Sequence, residues 1–174
     1  GEQAACVLRW SLDKDASLAV ELSLVFTILR TFPDNTHASL MQRMAVDIPS
    51  LISADGLCFG PGRTLEVEID GMFRAVEERW LIEDEGPDAG QTPGFRLERI
   101  IFPSVDKPLL CELYTLLNIG GETLPVNIPE FSQRIVTPKE NGRDGSYIIE
   151  ASILGTGTYT LRPGESLTFS AVFQ

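Results

Sequence analysis

The sequence has little of the side-chain chemistry that most enzymes and metal sites use. Its 174 residues include a single histidine, His37, and three cysteines. A tetrahedral zinc site draws its ligands mainly from Cys and His, and a catalytic triad would have to combine His37 with Ser39 and Asp34, which lie too close together along the chain. We therefore expect no catalytic residue of these types, no metal site and no cofactor.

Three cysteines are too few, and odd in number, for a disulfide framework. Cys6 and Cys111 fall within apolar alternations and are predicted to be small core residues, whereas Cys58 lies in a Gly/Pro-rich loop. The first residues show neither the basic nor the apolar region of a signal peptide, and no Asn-x-Ser/Thr acceptor for glycosylation occurs. The localisation stays open, and these absences favour the cytoplasm.

Positive charge is also scarce. The chain has 14 Lys and Arg against 25 Asp and Glu, for a formal net charge of −11. An acidic surface repels both phosphate backbones and anionic membranes, and no run of about 18 apolar residues could form a membrane-spanning helix. We expect no nucleic-acid partner and no membrane partner; the oligomeric state is left open.

Alternating apolar and polar residues recur along the whole chain, which predicts β-strands. The alternation is clearest from Leu167 to Phe173, and Asp70-Gly71 predicts a hairpin with a type I′ turn. The best helical alternative, Ser39–Val46, is short. We predict an all-β fold: residues 1–174 form a single antiparallel β-sandwich domain, jelly-roll or immunoglobulin/fibronectin-like, with roughly nine or ten strands.

The connection Leu161-Arg162-Pro163-Gly164-Glu165 is followed by an alternating strand. It resembles the closing hairpin of many sandwich domains, including fibronectin-like modules, galactose-mutarotase-like supersandwiches and sandwich modules attached to glycoside-active enzymes. The resemblance covers about 15 residues and implies a turn, because Pro pre-sets φ and Gly relieves the next position.

Aromatic and charged residues on two strands suggest a ligand site. Trp80 shares a strand face with Glu78, and Tyr114 shares one with Glu112. Exposed aromatic rings can stack on sugars, and nearby polar groups can bind their hydroxyls. We predict Trp80 and Tyr114 as stacking residues and Glu78, Arg79 and Glu112 as polar contacts. The competing interpretation is a solvent face with cross-strand Glu/Arg pairs. Trp10 alternates with apolar residues and is predicted to be buried.

These patterns favour a non-catalytic β-sandwich binding module for a carbohydrate or a protein partner. One alternative is a carboxylate-based enzyme acting on a sugar or polyuronide, with Glu112 as a catalytic group. Another is a structural or assembly subunit that pairs through edge strands, with the Pro125–Pro129 segment as its contact strip. Two acidic loops, Asp13-Lys14-Asp15 and residues 83–88, could supply oxygen ligands to calcium. Acidic turn loops are usually only solvated, so the expectation of no metal site stands against this alternative.

Overall fold

A computed structural model of the chain describes residues 2–32, 39–81 and 92–174. His37 and the acidic residues 83–88 lie outside the described residues. The strands are, in chain order, β1 (Ala4–Leu12), β2 (Leu18–Arg30), β3 (Ser39–Met44), β4 (Ser53–Ala54), β5 (Leu57–Cys58), β6 (Arg63–Ile69), β7 (Phe73–Leu81), β8 (Thr92–Pro103), β9 (Leu110–Asn118), β10 (Leu124–Ile128), β11 (Ser132–Val136), β12 (Ile148–Leu154), β13 (Gly157–Leu161) and β14 (Ser166–Phe173).

Helical structure in the described ranges is confined to two short 3-10 turns, Ile48–Leu51 and Lys139–Asn141. The helical alternative for Ser39–Val46 is therefore wrong, since Ser39–Met44 is a strand. The part of the chain that the structure describes contains no helix long and apolar enough to span a membrane.

The strands form three antiparallel sheets. The largest has seven strands in the order β11-β12-β14-β9-β8-β7-β6, and the others have the orders β1-β2-β3 and β13-β10-β4-β5. Strand β1 of the three-stranded sheet contacts β8 and β9 of the large sheet, and β13 contacts β14. Apolar residues from all three sheets form one core cluster. The predicted all-β sandwich class is confirmed. The described residues form fourteen strands where nine or ten were expected, partly because β4 and β5 have only two residues each.

The alternation of side chains correctly predicted the buried face of the last strands. Phe169, Ala171 and Phe173 are buried, as are Ile149 and Ala151 on the neighbouring strand β12. Period-2 alternation places every second side chain on the same face of a strand, so the inner face of the large sheet can be followed across β12 and β14.

On β9 the prediction of the buried face is wrong. Cys111 was expected in the core, but the buried side chains are those of the opposite parity, including Glu112 and Tyr114. Both faces of this strand carry leucines, so the alternation did not distinguish them. Cys6, Cys58 and Cys111 are all free thiols, and Cys58 is exposed. Burial raises the pKa of Cys111 and, together with smaller charge effects, that of Cys6.

The described residues contain two Asp-Gly hairpins, and the type I′ turn forms at the one that was not predicted. Asp55 and Gly56 both have positive φ, 50° and 80°, between β4 and β5. In the β6–β7 connection only Gly71 does, with φ 69°. That hairpin forms as expected, but its turn is not type I′, because the latter requires positive φ at both central residues.

Two further expectations about strand position are wrong. Pro125 was expected in an irregular or edge segment, but it lies in β10, which runs between β13 and β4, and its carbonyl accepts a hydrogen bond from the Asp55 N–H at 2.8 Å. The segment is therefore not a free contact strip. The turn at Gly164 (φ 81°) is present, but it does not close a hairpin: β13 pairs with β10, whereas β14 pairs with β12 and β9.

Trp10 lies at the border of the core and not inside it. Its side chain is 40% exposed and sits in a groove with Met72, which is 46% exposed. Its ring centroid lies 6.5 Å from that of Phe73. The burial predicted for Trp10 is thus wrong, because Trp10 lies beside the β6–β7 turn and the exposed Met72.

The loop of residues 137–147 ties the end of β2 to the large sheet. The Tyr147 hydroxyl donates to the Arg30 carbonyl at 2.5 Å, and the Arg143 N–H donates to the same carbonyl at 3.0 Å. The Phe32 N–H donates to the Asn141 carbonyl at 3.0 Å. These bonds satisfy backbone groups that lie beyond the regular ladder.

Candidate functional site: the inter-sheet cleft

The five predicted ligand residues do not form one site. Glu78 and Trp80 occupy one face of the large sheet, and Arg79, Glu112 and Tyr114 occupy the other. Tyr114 is fully buried, and Glu112 is 1% exposed. Tyr114 cannot stack on an external sugar from that position, and Glu112 cannot reach one directly, so these two roles are wrong as assigned. Glu78, Arg79 and Trp80 are half-buried.

Glu78 and Trp80 belong to the outer face, where ion pairs join neighbouring strands. Glu78 accepts from Arg63 at 2.5 Å and lies 4.0 Å from Arg96. The Arg63 guanidinium also lies over the Trp80 ring, 6.0 Å from its centroid. Further along this face, Arg74 pairs with three carboxylates: Glu66, Glu68 and Glu98. The outer face thus matches the alternative interpretation of cross-strand pairs on a solvated surface.

The inner face buries a hydrogen-bonded cluster of Arg99, Glu112 and Tyr114. Arg99 on β8 lies opposite Tyr114 on β9 and opposite the small Ala75 on β7. Its Nη2 donates to Glu112 Oε1 at 2.8 Å, and the Tyr114 hydroxyl donates to Glu112 Oε2. The Tyr114 ring stacks on Phe169, with centroids 4.9 Å apart. The core therefore holds an ion pair with further hydrogen bonds, which a buried charge requires.

Burial and the neighbouring charges shift the pKa values of Arg99 and Tyr114. Burial lowers the pKa of Arg99, but the neighbouring Tyr114, Glu112 and Asp47 outweigh it, so the pKa stays above the ordinary value. Burial, and then the Glu112 carboxylate, raise the pKa of Tyr114 well above its ordinary value of 10.0. Arg99 thus remains a cation and Tyr114 a neutral donor at physiological pH.

The Tyr114→Phe variant is expected to be less stable than the wild type by about 1.5–3 kcal/mol at pH 7, because it loses a hydrogen bond to a carboxylate. The pKa of Tyr114 is raised in the folded protein. Its contribution to the free energy of unfolding is therefore fully present below pH 10 and is lost as the pH rises towards the pKa of Tyr114 in the folded protein. The gap between the two proteins should therefore shrink above pH 10, in urea unfolding measured at several pH values. A gap that stays constant would contradict the pKa assigned to Tyr114.

A second ion pair lies beside the cluster on β7. Arg79 Nη2 donates to Glu77 Oε2 at 2.8 Å, and Nη1 donates to the Gly60 carbonyl at 3.2 Å. Gly62 packs directly over this pair: a Cβ at Gly62 would lie 2.8 Å from Arg79 Nε and 3.0 Å from Glu77 Oε1. The loop after β5 is anchored by the Gly60 N–H, which donates to the Trp80 carbonyl at 2.9 Å. Glycine at position 62 lets the loop approach the two charged side chains.

These charged side chains lie at the bottom of a cleft between the three-stranded sheet and the large sheet. We call it the inter-sheet cleft; its volume is about 510 Å³. Its walls are residues 17–21, at the start of β2, and residues 43–47 with Ser50, after β3. Its floor is residues 59–61 with the side chains of Glu77, Arg79 and Arg99.

The turn that leads into β2 is held against the large sheet at the mouth of the cleft. Ala16 has a positive φ of 58°, unusual for a residue with a Cβ. Its carbonyl accepts from the Thr64 N–H on β6 at 2.8 Å. The Asp13 side chain fixes the same turn by accepting from the N–H groups of Asp15 and Ser17. One Asp13 oxygen of the acidic loop 13–15 therefore organises the turn.

The floor of the cleft carries polar atoms that lack hydrogen-bond partners. They are Glu77 Oε1, Arg79 Nε and Arg99 Nε, and no partner for them occurs within the described residues. Glu77 is 3% exposed and Arg99 8%. An unsatisfied buried polar group costs about 1–3 kcal/mol. Gly62 packs over two of these atoms, Arg79 Nε and Glu77 Oε1, so they are enclosed by the protein and are not open contacts for a ligand.

Glu77 and Arg99 were not among the ligand residues selected from the sequence. Both lie in phase with apolar residues, Glu77 between Phe73 and Leu81 and Arg99 between Leu97 and Ile101. The available signal was a charged residue at a position where the alternation otherwise places apolar residues. Asp47 and Phe59 gave no signal, because their roles depend on how distant segments pack. Across the described ranges, no group of three or more His, Cys, Asp or Glu side chains is placed to hold a metal ion.

Three comparisons with known proteins leave the site to be interpreted from its own geometry. No protein-family model matches the chain, and no curated protein and no solved structure shows a significant match to it.

Proposed function

We propose that this chain is a non-catalytic binding module that takes a carbohydrate in the inter-sheet cleft. The observation that carries the proposal is a concave cleft whose lining includes three carboxylates and three guanidiniums. Small-ligand sites are concave, with volumes of about 300–1,000 Å³ and a few placed polar groups. The cleft, at about 510 Å³, lies within that range.

The chemistry of the floor favours a hydroxylated ligand. The guanidiniums of the lining are donors, and its carboxylates are acceptors. A hydroxyl both donates and accepts, so adjacent hydroxyls on one ring can satisfy donors and acceptors at the same time. Phe59 adds an aromatic side chain to this floor. A concave polar pocket suits a small molecule better than the flat contact surface of a protein partner.

The alternatives have weaker support. The enzyme hypothesis used Glu112, but that carboxylate is 1% exposed and is occupied by Arg99 and Tyr114. The assembly hypothesis used the Pro125–Pro129 segment, which begins within an inner strand. The outer face at Trp80 remains a competing location for a sugar, because an aromatic ring there is partly accessible.

The first test is thermal unfolding of the whole chain against a panel of mono- and disaccharides. A ligand at about 100 times its Kd adds about 2.7 kcal/mol to the folded state, which corresponds to a rise in Tm of about 5–10 °C for a chain of this size. We expect such a rise with at least one sugar, and calorimetric titration then gives its Kd.

Two tryptophan variants locate the binding. Ala45 is exposed and lines the cleft, so Ala45→Trp should fill part of it and weaken binding at least about tenfold, or about 1.4 kcal/mol. Thr123→Trp, at an exposed loop position elsewhere, is the matched control and should bind normally. Retained binding in Ala45→Trp together with lost binding in Trp80→Ala would move the site to the outer face and overturn the cleft assignment.

A further inference from the structure

The numbers of positive and negative side chains in the inter-sheet cleft indicate which sugars it can bind. This inference rests on the proposed function. Its lining has six charged residues: the carboxylates Glu21, Asp47 and Glu77 and the guanidiniums Arg43, Arg79 and Arg99. The lining therefore carries equal numbers of both signs. Glu112, directly behind Arg99, adds one buried negative charge.

The guanidiniums of the lining are already paired with carboxylates. Arg79 binds Glu77 at 2.8 Å, Arg99 binds Glu112 at 2.8 Å, and Arg43 binds Glu21 at 2.9 Å. An acidic ligand would have to displace one of these carboxylates or share its cation. It would also approach a protein of net charge −11, whose field repels anions.

A cationic ligand meets the opposite problem. Glu77 and Glu112 are buried and paired, so an ammonium group at the floor would lie beside Arg79 and Arg99 without a free counterion. Asp47 carries a carboxylate at the exposed rim, where water screens an ion pair and leaves it weak. Placing a charge in a desolvated site without a partner is unfavourable for either sign.

From this balance we infer that the inter-sheet cleft selects an uncharged sugar and discriminates against both the acidic and the amino forms of the same ring. Its lining offers guanidinium donors and carboxylate acceptors, and neutral hydroxyls match them without adding charge. Discrimination arises because a charged substituent would face paired groups that cannot reorganise without leaving another charge unpaired.

The test is calorimetric titration of the full chain with matched sugars: D-glucose, D-galactose and D-mannose, their uronic acids and their 2-amino derivatives. We expect the neutral ring of at least one series to bind about tenfold or more tightly than both charged forms, a ratio that corresponds to about 1.4 kcal/mol. The same titrations with Ala45→Trp should show binding at least about tenfold weaker, which would place the measured affinity in the cleft.

The possible failures are distinguishable. A uronic acid or amino sugar that binds as tightly as its neutral parent, and loses that binding in Ala45→Trp, would overturn the charge selectivity while the cleft remained a sugar site. Absence of binding by the whole panel, including neutral disaccharides, would overturn the proposed function itself and the selectivity with it.

Discussion

Replacing Glu112 by Gln is expected to destabilise the fold by about 3–5 kcal/mol at pH 7, the cost typical of breaking a buried ion pair. Gln keeps the size of the side chain, but it removes the charge that faces Arg99. The guanidinium is then left 8% exposed with no buried counterion. The measurement is chemical denaturation, in which the midpoint should fall while the denaturant dependence of the free energy stays constant.

A double variant separates the lost charge from lost packing. Adding Arg99→Met to Glu112→Gln removes both charges, so the double variant should be more stable than Glu112→Gln alone. Replacing a whole buried pair is often neutral, whereas breaking it is not, and a double-mutant cycle isolates this coupling. Equal stability of the single and double variants would show that Arg99 and Glu112 do not act as a pair.

Gly142→Ala is expected to cost about 3 kcal/mol, at the upper end of the usual cost of overpacking. A Cβ at Gly142 would lie 1.9 Å from the Gly145 carbonyl oxygen and 2.9 Å from the Tyr147 ring. The first of these atoms belongs to the backbone, so the 137–147 loop must shift. That shift would disturb the bonds through which Tyr147 and Arg143 hold Arg30 at the end of β2.

Gly121→Ala provides the control for a glycine replacement in general. A Cβ at Gly121 meets nothing within 4 Å, and its φ is not in the left-handed region. We expect its stability to stay within about 0.5 kcal/mol of the wild type. If Gly142→Ala were as harmless as this control, the close approach to Gly145 would not constrain the loop.

The sequence predicted the fold class well because strands with one solvent-exposed face show a regular alternation of apolar and polar residues, and this alternation indicates which face is buried. Phe169, Ala171 and Phe173 alternate with more polar residues, and their burial follows. The pairing of strands was harder to predict, since it is set by packing between distant segments. The Leu161–Glu165 connection shows this: its turn was evident, yet it joins strands of two different sheets.

The site could be predicted only in fragments. Arg79 was chosen from the sequence and does line the cleft. Tyr114 and Glu112 were chosen for an exposed role, although Glu112 can be buried because it accepts hydrogen bonds from both Arg99 and Tyr114. That partner lies on another strand, 13 residues away, and one strand's alternation cannot reveal it. The unpartnered atoms of the floor depend on three-dimensional packing alone.

The buried pair of Arg99 and Glu112 also limits the evolutionary routes open to this chain. Two apolar residues could replace the pair without loss of stability. A lineage that changes one residue at a time must first pass through a protein with a single unpaired charge in its core. If that intermediate loses several kcal/mol, it approaches the whole stability margin of a typical domain. The pair can therefore persist for historical reasons, even where it contributes little net stability.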